Sequence, residues 1–129
     1  MLESDGLEYL WETWSHDYKS IPQKYPEASL AKLKEEGVLG DALNYYRSIL
    51  FDLPLALEST VLHAPILGVY GEEDGCVMAK VFEYCMGERP ELYPEGIELK
   101  PIAKAGHWAH PESVAEVNSL IVNHINKHN

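Results

Sequence analysis

Apolar residues in the first half of the chain recur at helical spacing. Leu7, Leu10, Trp11 and Trp14 predict a first helix. Residues 15–26 contain two prolines and no periodicity, which predicts a loop. A short helix is predicted over 28–36, ended by Gly37, and a longer one over 39–51, broken by the proline that follows. The apolar stripe of the longer helix consists of Leu39, Leu43, Tyr46 and Leu50.

The second half alternates between strand and helix patterns. A short apolar run over 65–70 predicts a buried strand, and the alternating stretch 96–102 predicts a second one. A helix is predicted between them over 76–86, with inward positions at Val77, Val81 and either Tyr84 or Cys85. Pro111 is predicted in the first turn of a last helix that ends near 127. Its predicted core face consists of Val114, Val117, Leu120, Ile121 and Ile125.

These elements predict an α/β fold in which helices precede a βαβα unit. The two strands should be parallel, with a right-handed crossover between them. The chain has 129 residues, of which 46% are apolar and 24% charged, values that fit one globular domain. We therefore expect a single domain over 1–129, made of a helical segment 1–58 and a βαβα segment 64–129.

The charge balance narrows the classes of partner. With 21 acidic and 10 basic residues the net charge is −11, which argues against binding to nucleic acid or to anionic membranes. No apolar run reaches the roughly 20 residues of a membrane span, and the acidic start differs from a signal peptide. Cys76 and Cys85 would face opposite sides of one helix, so we expect free thiols and a cytoplasmic protein.

Two residues that could carry chemistry follow the two predicted strands. Asp74 lies in the turn after the first strand, and His107 lies in the loop after the second. The carboxyl ends of parallel strands meet at one edge of a sheet, where sites of open α/β sheets lie. A histidine activates a hydroxyl when a carboxylate holds its second ring nitrogen and stabilises its imidazolium. The sequence therefore predicts an acid–histidine pair at this edge.

The motifs around this pair resemble the C-terminal portion of the α/β-hydrolase family. Its triad acid often occurs as Gly-x-x-Asp after a late strand and its histidine as Gly-His before an amphipathic helix, as in 71–75 and 105–108 here. The resemblance implies that Asp74 is the acid and His107 the base. Residues 10–15 and 42–47 are similar to the cap segments of epoxide hydrolases and haloalkane dehalogenases, which implies substrate-binding roles for four aromatic residues. They are Trp11, Trp14, Tyr46 and Trp108.

The family's nucleophile has no counterpart in this sequence. It lies in Gly-x-Ser-x-Gly, or in a variant with Asp or Cys at the centre, on a tight strand-to-helix turn. None of the serines in this chain has those glycine flanks. The oxyanion-hole loop and the early strands of the family are also missing. The resemblance thus predicts a truncated α/β hydrolase that lacks the nucleophile-bearing N-terminal half.

Other interpretations of the same residues stay open. Asp74 could be a turn former and His107 a structural histidine. His107, His110 and Glu112 could bind a metal, but two close histidines and one acid make a weak site, so no metal and no cofactor is predicted. Cys76 could be a nucleophile at a helix start. The pair His124 and His128, four residues apart near the terminus, is interpreted as surface residues.

We therefore expect a hydrolase-like chain that keeps the triad acid and histidine and is not catalytic by itself. The alternatives are a split hydrolase for esters or epoxides with its nucleophile on another chain, an enzyme that recruited another nucleophile, and a non-catalytic oligomeric binding module. Two strands are too few for a stable sheet. We therefore expect a homodimer through the exposed sheet edge or face, or N-terminal helices that cover that face in a monomer.

Overall fold

The computed structural model describes residues 4–51 and 61–129. By contacts the chain divides into two compact units: Met1–Pro22 together with Val61–Asn129, and Gln23–Thr60. The first 22 residues thus belong to the unit that contains the sheet. The expectation of one domain over 1–129 stays a prediction.

The larger unit is built on two parallel strands. Strand β1 is Ile66–Gly71 and strand β2 is Ile97–Ile102. Ile66 lies opposite Ile97, and Gly71 lies opposite Ile102. Within the described ranges the sheet has these two strands. The prediction of two parallel strands in a mixed helix and strand structure is confirmed.

Helices cover both faces of this sheet. On one face Val117, from the last helix, forms a core with Ile102 and Ala105, and Val69 packs beside them. On the other face the Tyr70 ring stacks on Phe82, with ring centroids 5.1 Å apart. Successive side chains of a strand point to opposite faces of the sheet, so Val69 and its neighbour Tyr70 contact different helices. Helix α1, Ser4–Trp14, completes this unit together with a 3₁₀ turn, Tyr18–Ser20.

The smaller unit contains helices α2, Lys24–Leu33, and α3, Val38–Phe51. α2 begins at Lys24, earlier than the predicted start at 28. Pro26 fits in its first turn, because the N–H groups of a first helical turn have no acceptor within the helix and the missing N–H of proline costs nothing there. Gly37, with φ of +83°, lies just before α3. Tyr46, which belongs to the apolar stripe of this helix, is 63% exposed. The Leu50 side chain and the predicted break at 52–54 lie outside the described residues.

The helix predicted between the strands is shorter than expected. Helix α4 covers Ala79–Phe82 and continues as a π-helical turn, Glu83–Gly87, and a 3₁₀ turn, Pro90–Leu92, follows. The predicted inward positions Val81, Tyr84 and Cys85 are exposed, and Phe82 packs inward instead. Asp74 Oδ1 accepts the N–H groups of Cys76 and Val77, which lie in the turn before α4.

The C-terminal region contains two helices. Helix α5, Ala109–Glu112, contains Pro111, and helix α6, Val114–His128, follows it. The prediction that Pro111 opens the last helix is therefore wrong. Of the predicted core face, Val117 is buried and Leu120 is half-buried. Val114, Ile121 and Ile125 are exposed. A sheet of two strands covers only a narrow stripe of the helix. In the described part of the chain, no helix combines the length and the apolar character needed to cross a bilayer.

Candidate active site

Asp74 and His107 meet at the carboxyl ends of the two strands. Nδ1 of His107 lies 3.0 Å from Oδ2 and 3.2 Å from Oδ1 of Asp74. The Asp74 side chain is 4% exposed, whereas the His107 side chain is 30% exposed. The carboxylate is thus enclosed, and the imidazole keeps one accessible side. One ring nitrogen of His107 is thus held by a carboxylate, as a histidine base requires.

The turn after β1 fixes the carboxylate of Asp74. Its Oδ1 atom accepts hydrogen bonds from the backbone N–H of Cys76 at 2.7 Å and of Val77 at 2.9 Å. An aspartate that binds N–H groups two and three residues ahead closes an Asx-type turn. The turn-former interpretation of Asp74 and its contact with His107 therefore hold together, since one carboxylate makes both sets of contacts.

The two loops at the strand ends are joined by backbone contacts. The N–H of Glu72 donates to the carbonyl of Ile102 at 3.1 Å, and the N–H of Glu73 donates to the carbonyl of Ala105 at 2.9 Å. At Gly71 an added Cβ would lie 2.2 Å from the carbonyl oxygen of Gly106. Only glycine permits this approach, which brings the acid loop and the histidine loop into contact.

The end of α1 packs against both loops. The N–H of His107 donates to the carbonyl of Trp14 at 2.7 Å. An added Cβ at Gly106 would lie 2.3 Å from that same carbonyl oxygen, and one at Gly75 would lie 2.3 Å from the carbonyl oxygen of Thr13. The first helix thus forms one wall of the site, a placement that no local pattern in the sequence indicates.

Two tryptophans, Trp14 and Trp108, contact the imidazole, and a third, Trp11, packs behind Trp108. Trp11 stacks on Trp108 with centroids 4.1 Å apart, and Trp14 lies edge-on to His107 at 5.1 Å. Trp11 is 4% exposed, and the Nε1 atoms of Trp11 and Trp108 are buried without a hydrogen-bond partner among the described residues. Of the four aromatic residues predicted to bind substrate, Trp14 and Trp108 contact His107, and Trp11 contacts Trp108. Tyr46 belongs to the other unit, where its ring contacts Tyr45.

A second set of polar contacts lies next to the pair. Nδ1 of His16 is 2.6 Å from Oε2 of Glu73. The carboxylate of Glu112 accepts the N–H of His16 at 2.8 Å and the N–H of Gly106 at 3.0 Å. Sequence reasoning missed His16 and Glu73 and considered Glu112 only as a metal ligand. No spacing rule relates residue 16 to residues 73 and 112, so the sequence carries no signal for this cluster.

The residues considered as metal ligands or as a second nucleophile contact other groups. His110 contacts Asn118 at 2.9 Å, so His107, His110 and Glu112 each have a different partner, and no group of three metal-ligating side chains occurs among the described residues. Cys76 is exposed and lies before α4, so the prediction that it starts a helix is wrong. Nε2 of His124 is 3.3 Å from the carbonyl of Pro65, and its ring contacts His128.

An open groove of about 330 Å³ runs beside His107. Its lining is mostly apolar and consists of Val69, His107, Trp108, Ala109, His110, Pro111 and Val117. The groove gives the imidazole a neighbouring space that a small organic molecule or another segment of protein could fill. The catalytic and substrate-binding roles of the named residues stay predictions.

The chain is similar to epoxide hydrolase 3 of Mus musculus, with 28% identity over 120 residues. The similarity covers 88% of this chain and 31% of the mouse protein, so the chain spans less than a third of the length of this relative. No protein-family model matches the chain, and no solved structure matches it. The similarity supports a hydrolase-like origin, and the parallel strands with their helices are compatible with part of an α/β fold.

Proposed function

We propose that this chain is the acid- and histidine-bearing part of an epoxide-hydrolase-like α/β hydrolase whose nucleophile lies outside these 129 residues. The observation that carries the proposal is the contact between Nδ1 of His107 and the carboxylate of Asp74, at 3.0 and 3.2 Å, where β1 and β2 end. The similarity to a mouse epoxide hydrolase supports the same class of reaction.

His107 acts as the general base in this proposal. Asp74 accepts the Nδ1–H and thereby fixes the tautomer in which Nε2 is basic. Among the residues that the structure describes, none forms a hydrogen bond with Nε2 of His107. Nε2 would take the proton of a water molecule or hydroxyl group as it attacks, and Asp74 would stabilise the imidazolium that forms. The substrate class we propose is an epoxide, with esters as the alternative.

The isolated chain is proposed to be inactive, because a base without a nucleophile and an oxyanion hole leaves the reacting group unpositioned. The test is an assay of the purified chain on p-nitrophenyl acetate and styrene oxide, with His107→Ala as the control. We expect equal, background rates for both proteins. Turnover by the chain that the His107→Ala variant lacks would contradict this part of the proposal.

A chimera tests the proposed role directly. In it, this chain replaces the matched 31% of mouse epoxide hydrolase 3, which leaves the rest of that protein to supply the nucleophile. We expect epoxide hydrolysis that His107→Ala abolishes. His128→Ala is the matched control, since His128 lies at the end of α6, where its ring contacts His124 rather than Asp74. A folded chimera without epoxide turnover would count against the proposed function.

A binding role is the second candidate, and exposed apolar residues on α6 favour it. Ile121, Val122 and Ile125 are 41%, 54% and 51% exposed. Together with the unpaired edges of the two described strands, they form a surface that a second copy of the chain or the nucleophile-bearing half would cover. We propose that the chain alone is a homodimer. Light scattering after size-exclusion chromatography should give the dimer mass, and Ile125→Glu should lower it; a monomer would oppose this candidate.

A further inference from the structure

We infer that Glu112 is a positioning residue that fixes the loop carrying His107 to the end of α1. A catalytic role for Glu112 rests on the proposed function. The contacts of Glu112 with the two segments do not depend on that proposal. Glu112 is the last residue of α5, and its two carboxylate oxygens bind two backbone N–H groups from distant parts of the chain. Oε1 accepts from Gly106 at 3.0 Å and Oε2 from His16 at 2.8 Å.

These contacts hold the backbone next to His107 at two points. Gly106 directly precedes His107 in the chain. His16 lies two residues after Trp14, whose carbonyl accepts the N–H of His107 at 2.7 Å. Glu112 therefore closes a ring of contacts that runs through Gly106, His107 and Trp14 to His16 and back to the carboxylate. Each oxygen makes a charge-assisted hydrogen bond, the stronger class of such bonds.

The position of His107 depends on this ring because the contact with Asp74 requires the loop of His107 to stay in place. Nδ1 lies 3.0 and 3.2 Å from the two carboxylate oxygens, and a loop that moves away from Asp74 takes both distances beyond the range of a hydrogen bond, about 3.2 Å. Gly106 has no free space toward α1, since an added Cβ would lie 2.7 Å from the N–H nitrogen of His16. If Glu112 is lost, the two N–H groups lose their acceptor and the loop can separate from α1, which carries the imidazole away from Asp74.

The geometry also explains why the residue is a glutamate. Two donors need two acceptor oxygens, and a glutamine offers one oxygen and one NH₂ group, which would face an N–H donor. Glu112→Gln should therefore keep one contact and lose the other, whereas Glu112→Ala loses both. Glu116→Ala is the matched control: it removes the same charge from an exposed glutamate one turn into α6.

The experiment measures the Nδ1 proton of His107 by NMR in the whole chain, without substrate. Its downfield resonance reports the hydrogen bond to Asp74, and Asp74→Asn is the positive control for its loss. We expect the resonance in the wild type and in Glu116→Ala, a weakened signal in Glu112→Gln, and none in Glu112→Ala. Urea unfolding of each variant shows whether it is folded; if Glu112→Ala is not, Glu112→Gln carries the test. A folded Glu112 variant with the wild-type resonance would overturn the inference.

Kinetics of the chimera separate this inference from the proposed function. We expect Glu112→Ala to lower kcat at least tenfold with KM unchanged, since the residue acts through His107 rather than on the substrate. A chimera that is inactive in every form would overturn the proposed function, while the NMR result would still decide the contact. An active chimera with unchanged kcat in Glu112→Ala would overturn the positioning role alone.

Discussion

The backbone N–H of His107 donates to the carbonyl oxygen of Trp14 at 2.7 Å, so the end of the first helix holds the histidine that Asp74 orients. A side chain at the end of a C-terminal strand therefore depends on an N-terminal helix for its position. Both residues lie in the unit formed by Met1–Pro22 and Val61–Asn129. The N-terminal helix is part of the candidate site rather than a separate covering layer.

Replacing Asp74 by asparagine should impair the base with a small structural change. The amide oxygen can still accept both N–H groups of the Asx turn, as Oδ1 of Asp74 does, but the amide presents no negative charge to the imidazole, and its NH₂ group favours the wrong tautomer of His107. In the active chimera we expect kcat to fall by roughly 10⁴-fold, the size seen for this change in a serine protease triad. Stopped assays of kcat and KM check it, and a loss below tenfold would contradict the assigned acid.

Replacing Gly106 by alanine should destabilise the chain. The added Cβ would meet the carbonyl oxygen of Trp14 at 2.3 Å, and both partners are backbone atoms that cannot rotate away. We expect a loss of about 1–3 kcal/mol in the free energy of unfolding, typical of overpacking. The measurement is urea unfolding followed by circular dichroism.

Gly40→Ala is the control for this change. Gly40 lies in α3 with no atom near its missing Cβ, so alanine there should stabilise by about 0.5–1 kcal/mol. Equal effects of the two alanines would show that the contact between Gly106 and Trp14 is absent.

Trp11 should contribute to stability through its ring and not through its N–H. The ring is buried and stacks on Trp108, whereas Nε1 has no partner among the described residues. We expect Trp11→Ala to cost about 3–5 kcal/mol. Trp11→Phe, which keeps an aromatic ring and removes the unpaired donor, should cost less than about 1.5 kcal/mol. Thermal and urea unfolding of both variants check the difference, and equal losses would contradict it.

Tyr70 should make stability fall at alkaline pH. Burial is the main cause that raises the pKa of Tyr70 above its usual value of 10.0, followed by the hydrogen bond to Glu83 at 3.1 Å and the nearby negative charges of Glu83 and Glu72. Below pH 10 the phenol is neutral in both states and its contribution is complete. Above pH 10 the unfolded chain ionises first, so the contribution is lost as the pH rises through the folded pKa.

The measurement is the free energy of unfolding between pH 8 and 11. Tyr70→Phe should show a smaller decline than the wild type over the alkaline part of this range. Glu83→Gln should lie between the two, because it removes a charge that raises the pKa and leaves burial in place. A decline that is the same in the wild type and Tyr70→Phe would show that Tyr70 does not cause it.

The sequence could predict the parts of the fold that local patterns encode. The first strand is an apolar run and the second an alternating stretch, and their parallel pairing follows from the helix between them. The approach of Asp74 and His107 also follows, since parallel strands end at one edge. The start of the helix predicted over 76–86 could not be placed, because Asp74 accepts the N–H of Cys76 and Val77 in a turn that the apolar pattern does not distinguish from the first turn of a helix.

Long-range contacts account for the rest. Nothing in the spacing of residues relates Trp11 to Trp108, or Glu112 to His16, because these pairs form only when α1 packs on the loops of the sheet. The predicted core face of α6 was too wide for a related reason. Periodicity shows which face of a helix is apolar, but the number of strands beneath the helix decides how much of that face is covered.

The packing of α1 against the loop of His107 has a consequence for folding. The contact of Trp14 with His107 closes a loop that spans most of the chain. Closing such a loop costs conformational entropy, and other contacts must offset this cost for the loop to stay closed. During synthesis α1 emerges before β2 and the loop that follows it, so the contact forms only after that loop has been made. The geometry of His107 therefore depends on two segments that are made far apart in time.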